Sequence, residues 1–205
     1  MSDIGKSLDR ILAVLNRISQ VAVWVGGALL LASALLICAE IGLRRMGITT
    51  RGADEFSYYV LAISSSWAFS FTLLRKAHIR IDVIYARLGA RVRGLLDMLA
   101  LLALGLFAFI ATYTVAFGLL TRSITRGSTS NTVWQTPLWI PQGIWWLGWV
   151  LFTITTSVLL LRVAWAFFVE RDLKTVDRYA GGQTLEEEIE EALGEDELFA
   201  EGGAA

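Results

Sequence analysis

The chain of 205 residues contains one cysteine, one histidine and two prolines. Cys38 has no partner within the chain, so a disulfide framework is excluded and a small apolar group facing lipid or another helix is expected. With His78 as the single histidine, a membrane haem held by two imidazoles cannot be built from this chain alone. No H-E-x-x-H, C-x-x-C, phosphate-loop or G-x-S-x-G pattern occurs. No catalytic, cofactor-binding or metal-ligating residue is therefore expected, and the chain does not read as an enzyme. Charge is the most informative absence. Residues 21–39, 56–74, 98–121 and 133–161 carry no charged side chain at all.

What fills those runs is apolar: 55% of the chain is hydrophobic and its mean hydropathy is +0.57. A helix rises about 1.5 Å per residue, so roughly 20 residues cross the ~30 Å hydrocarbon core of a bilayer. The pattern predicts an all-α integral membrane protein with four transmembrane helices, at about 21–43, 54–74, 95–121 and 140–169. Together they form a membrane domain over residues 21–169. The only A-x-A match in the first run, Ala32-Ser33-Ala34, is followed by more apolar residues, so an uncleaved first helix is expected.

Net charge divides the chain. Residues 183–205 hold nine acidic side chains and no basic ones, leaving 18 basic against 10 acidic residues elsewhere. Thirteen Lys and Arg lie before the first run, between the second and third, or after the fourth; the other side holds five. Basic residues are retained in the cytoplasm during insertion, which predicts both termini and the central loop inside. Trp134, Trp139, Trp145, Trp146 and Trp149 crowd the start of the fourth run, as expected of an aromatic belt at the outer surface. Helix packing accounts for Trp149 equally well.

The segments between the runs are amphipathic. Ile4, Leu8, Ile11, Leu12, Leu15 and Ile18 recur at helical spacing, giving an amphipathic N-terminal helix over residues 1–20. Ile81, Ile84, Leu88, Val92 and Leu95 form a narrow apolar face opposite Arg80, Arg87 and Arg91, so an interfacial helix is expected at about 79–93, its arginines among anionic headgroups of membrane lipids. Nothing supports nucleic-acid binding. Asp54 and Glu55 open the second span, where carboxylates complement the helix dipole and can cap free N–H groups. Pro137 and Pro141 mark the start of the fourth helix, where a missing N–H costs little. Arg162 is expected to snorkel to the inner surface. The repeats Ala62, Ser66, Ser70 and Ala108, Thr112, Ala116 predict close helix approach. Residues 170–205 read as a cytoplasmic acidic tail, with a short helix starting near Thr184.

Glu40 is the one carboxylate close to an otherwise clean span, and it sits at the edge. Such a group more often serves the interface or helix pairing than ion transport. It nevertheless defines a rival reading, a self-contained small ion-coupled transporter or channel.

The order of features resembles the small membrane subunit, DctQ-like, of tripartite ATP-independent periplasmic (TRAP) transporters, over about residues 35–168. The resemblance is carried by Asp54-Glu55-Phe56-Ser57-Tyr58-Tyr59, by Arg75-Lys76-Ala77-His78-Ile79-Arg80-Ile81-Asp82, and by Thr136-Pro137-Leu138-Trp139-Ile140-Pro141-Gln142. It implies a multi-pass protein of the bacterial cell inner membrane that scaffolds a large sodium-coupled permease subunit (DctM-like). That subunit imports a solute, expected to be an organic acid, delivered by a periplasmic solute-binding protein. On this reading Arg75, His78, Arg80 and Asp82 form a cytoplasmic polar cluster, with Asp82 paired to Arg75 or Arg80. Asp54, Glu55, Arg126, Trp139 and Pro141 are interface candidates on the outer side.

Overall fold

The computed structural model describes residues 3–47, 52–76 and 88–180, and these are almost entirely helical. Four long helices follow one another: α1 (Asp3–Arg44), α2 (Ala53–Leu74), α3 (Ala90–Arg126) and α4 (Trp139–Glu170). A short α5 (Leu173–Ala180) closes the described chain. Neighbouring helices run up-down-up-down. Ser64 of α2 meets Gly26 of α1, Ser66 of α2 meets Gly148 of α4, and Thr112 of α3 meets Thr153 of α4.

By length and composition α1, α3 and α4 can each cross a membrane. α2 has 22 residues and is long enough, but it carries five serines and two tyrosines and falls short of the other three in apolarity. Its polarity is turned inward: Ser64, Ser66 and Ser70 are buried against neighbouring helices. The expected small-residue repeat is thus partly displaced, with Ser66 and Ser70 packed and Ala62 exposed. On α3 the whole repeat Ala108, Thr112, Ala116 is buried.

Helix α4 is the hub, touching α1, α2, α3 and α5. Its close approach to α2 depends on Gly148, where an added Cβ would lie 2.8 Å from Trp67 Cδ1 and 2.9 Å from Ser66 Cβ. The core gathers Leu12, Leu73, Leu101, Phe152, Leu159 and Val163 with Val176 and Ala180 of α5. Two π-helical turns interrupt the α geometry, Ala111–Ala116 within α3 and Ala166–Glu170 at the end of α4. At the first, Thr112 Oγ1 lies 2.9 Å from Thr153 Oγ1 and donates to the Ala108 carbonyl at 2.7 Å.

Two expected segments take a different form. Residues 3–44 are one unbroken helix of 42 residues, about 63 Å long, so the amphipathic N-terminal part continues the first apolar run as a single rod. Leu12 and Leu15 of its stripe are buried within the bundle, whereas Ile4, Ile11 and Ile18 are exposed. Most of the expected interfacial helix, and residues 181–205 of the expected acidic tail, lie outside the described residues. Residues 170–180 of that tail instead end α4 and form α5, which packs on the bundle through Val176 and Ala180. The last four residues of the expected interfacial helix, 90–93, form the first turn of α3 after the extended Gly89.

Candidate functional site

The polar side chains gather at the two ends of the bundle. At the end that carries both the start of α1 and α5, Arg162 is the centre. Its Nε donates to Asp9 Oδ1 at 2.6 Å, Nη2 to Asp9 Oδ2 at 3.4 Å, and Nη1 to Glu170 Oε2 at 3.1 Å. Tyr179 Oη donates to Asp9 Oδ1 at 2.8 Å, and the guanidinium lies over the Tyr179 ring at 5.5 Å. Three helices, α1, α4 and α5, are tied through one side chain. Arg162 is only 2% exposed, so it does not snorkel. The expectation failed because two carboxylates and a phenol satisfy the guanidinium inside the protein, and water has nothing better to offer it.

Asp9 lies before the uncharged run of α1. Burial would raise its pKa, but the bonds from Arg162 and Tyr179 and the attraction of Arg162 and Arg178 outweigh that and hold the carboxyl below its ordinary value. Burial, reinforced by the Asp9 carboxylate, pushes the Tyr179 phenol up. Helix α5 is started by Asp172, whose Oδ1 accepts from the Lys174 and Thr175 amides at 3.1 and 3.4 Å. This places Tyr179 and Val176 against the bundle.

At the opposite end a loop of residues 127–138 joins α3 to α4. Gly127 turns it with φ +58°, and the Ser128 amide bonds to the Ser123 carbonyl at 3.0 Å, a helix stop that favours glycine. The Thr129–Pro137 bridge, with Ser130 N to Thr136 O at 2.9 Å, folds the loop on itself. Glu55 then fastens it to α2: its carboxylate accepts from Tyr59 Oη at 2.5 Å and from Thr132 Oγ1. Glu55 therefore caps no amide; the α2 N-terminus at Gly52 has no side-chain cap, because the carboxylate is engaged by hydroxyls across the loop. Gly52 leaves room for the Trp134 ring, since an added Cβ would lie 2.7 Å from Trp134 Cδ1.

Of the other sequence candidates, Asp54 and Arg126 are exposed, and Trp139 is half-exposed at the start of α4. Pro141 is buried beside Tyr59 in a small cleft. Arg75 ends α2 with its guanidinium 5.3 Å from the centre of the Phe71 ring. His78, Arg80 and Asp82 lie outside the described residues. Trp149 is a packing residue, edge-on to Phe69, Phe107, Trp145 and Phe152, whereas Trp134 and Trp139 are largely open. Glu40 is buried and accepts from Arg44, one turn further on, at 3.2 Å. Among the described residues no group of His, Cys, Asp and Glu is placed to hold a metal.

The sequence reading missed the roles of Asp9, Glu170, Tyr179 and Thr132. One signal was available: a single arginine directly after 29 uncharged residues must find carboxylates, and few lie within reach.

A helical bundle with three membrane-crossing candidates, knotted at one end by charge and at the other by a carboxylate–hydroxyl clasp, has the form of a membrane protein. Residues 33–165 match the family described as tripartite ATP-independent periplasmic transporters, DctQ component, and the chain belongs to that family. It is a TRAP transporter small permease subunit, a component of a transporter and not of an enzyme family. No curated protein and no solved structure matches it.

Proposed function

We propose that this chain is the fixed scaffold for a large, sodium-coupled DctM-like permease subunit. It crosses the bacterial inner membrane four times with both termini inside. The imported solute is an organic acid handed over by a periplasmic binding protein. The observation that carries the scaffold reading is how the charged groups are used. Arg162 joins α1, α4 and α5, and Glu55 joins α2 to the loop before α4, so the four helices are held together from both ends. A frame beside a moving domain needs that stiffness. Large apolar side chains remain uncovered along α1 and α3, among them Leu31, Leu35, Leu99 and Leu106, a surface suited to lipid and to a membrane partner. The inward orientation rests on the distribution of basic residues. The fourth span is α2, whose buried serines explain its lower apolarity.

The outward end, with Glu55, Arg126 and Trp139 near the 127–138 loop, serves as a contact surface for the binding protein or the large subunit. Arg75, His78, Arg80 and Asp82 fix the turn toward the interfacial helix on the inner side. Glu40 is held by Arg44, which favours helix-end pairing over ion coupling. Reconstitution in liposomes decides between scaffold and self-contained transporter. The chain alone should move no solute, and uptake should appear only with the large subunit and binding protein. Uptake by the isolated chain would refute the scaffold. Asp82→Ala and His78→Ala should lower co-purification with the large subunit, and charge reversal at Glu55 or Arg126 should alter uptake kinetics.

A further inference from the structure

A groove of about 570 Å³ runs between α1, α2 and α4. Its walls are Val21, Val25, Leu29, Ile63, Trp67 and Ile144, and Arg17 stands at one end. The polar groups in the walls are spent on one another. Ser64 Oγ donates to the Gly26 carbonyl at 3.3 Å, and Trp67 Nε1 donates to the Ile144 carbonyl at 3.0 Å. What faces the open groove is hydrocarbon, with Val21 and Val25 63% and 54% exposed. Arg17 differs from Arg44 and Arg162, which are paired with carboxylates. It is exposed, and no carboxylate of the described residues bonds to it.

Length identifies the occupant. From Arg17 to Leu29 the groove follows α1 for about 18 Å. One leaflet is half of the ~30 Å hydrocarbon core, about 15 Å. A helix of another subunit crossing the whole bilayer would need a track about twice that long. An apolar slot of one-leaflet depth with a guanidinium at its mouth matches one lipid, because arginine binds phosphate oxygens through paired N–H donors. We propose that this groove seats one acyl chain of an anionic phospholipid from the leaflet on the N-terminal side, its phosphate at Arg17. The lipid becomes part of the α1–α2–α4 packing. This rests on the chain's being embedded in a bilayer.

The test uses the full chain in phosphatidylcholine vesicles containing a little phosphatidylglycerol with a diazirine on its acyl chain. After irradiation, adducts are mapped by mass spectrometry. Adducts should concentrate on α1 between residues 18 and 29 and on Trp67, well above those at the exposed Leu102 and Leu106 of α3. Arg17→Gln should lower the groove adducts about fivefold, the worth of one basic residue toward an anionic lipid, and leave those on α3 unchanged. Ala22→Trp, which fills the groove, should abolish them. The same diazirine on phosphatidylcholine should label the groove less. Groove labelling no higher than on α3, or unmoved by Arg17→Gln, would overturn the proposal. So would a crosslink from Val25→Cys to a helix of the large subunit that displaces the lipid adducts. Absence of adducts from both α1 and α3 would refute embedding itself, a failure distinct from that of the groove.

Discussion

The two ends of the bundle solve the same problem with different chemistry. At the α5 end a cation, 2% exposed, is surrounded by two carboxylates and a phenol drawn from α1, α4 and α5. At the loop end a single carboxylate is held by two hydroxyls, from Tyr59 and Thr132, with no cation bonded to it in the described structure. Removing one partner from the first arrangement leaves an uncompensated buried charge. Removing one hydroxyl from the second leaves a carboxylate that still has a donor and reaches solvent more easily. The charge knot is therefore the structural anchor, and the hydroxyl clasp a local fastening for one loop. With the orientation and scaffold role proposed above, that division would keep the inner end rigid while the outer loop meets partners.

The largest effect is expected from Arg162→Met, which strands Asp9 and Glu170. Breaking a buried pair in this way costs about 3–5 kcal/mol, to be read from thermal unfolding in mild detergent. A loss below about 1 kcal/mol would erase the distinction between the two ends. Gly148→Ala comes next. It overpacks the α2–α4 contact against Ser66 and Trp67, and a cost of about 2 kcal/mol is expected. Because this site lies between the ends, it should loosen both clusters together, whereas Arg162→Met should act first on α5 and the start of α1.

Glu55→Gln should cost less, and only in the local opening of the 127–138 loop, by about 1.5 kcal/mol. Protease cleavage within 127–138 should accelerate while the unfolding temperature hardly moves. Equal sensitivity at α5 would contradict the local role. Acid gives a further contrast. The Asp9 pKa is lowered in the folded protein, so its stabilisation is complete above the ordinary carboxylate value and is lost as pH falls through the lowered one, from about pH 4 downward. Asp9→Asn should remove that part of the acid sensitivity; an unchanged pH profile would show that Asp9 does not carry it. The smallest effect belongs to the middle of the bundle. Thr153→Val, which removes the hydroxyl facing Thr112, should cost only about 0.6 kcal/mol, typical of interhelical hydrogen bonds in membranes.

The uncharged runs made the four long helices legible, because a helix is the arrangement in which one continuous apolar segment of that length satisfies its own backbone. The start of α4 near Pro137 and Pro141 was legible because the N–H that proline lacks costs little in a helix's first turn. Arg162 was visible as a charge but not as a knot: its partner Asp9 is 153 residues away. The clasp from Thr132 to Glu55 spans 77 residues, and a threonine in a polar loop carries no mark of its target. The continuity of α1 was hidden differently. The change from amphipathic to apolar pattern at residue 21 reads as a boundary, yet the backbone needs no break to cross it.

By itself, the sequence determined the membrane character of this protein, its helical segments and its family, because apolar length, charge distribution and local motifs are properties of a chain read in one dimension. Which charges are buried together, which serines face protein and which groove stays open were decided only by the tertiary structure. Helical periodicity names the face on which a side chain lies, but the neighbour that meets that face depends on how each rod is rotated and shifted against the next.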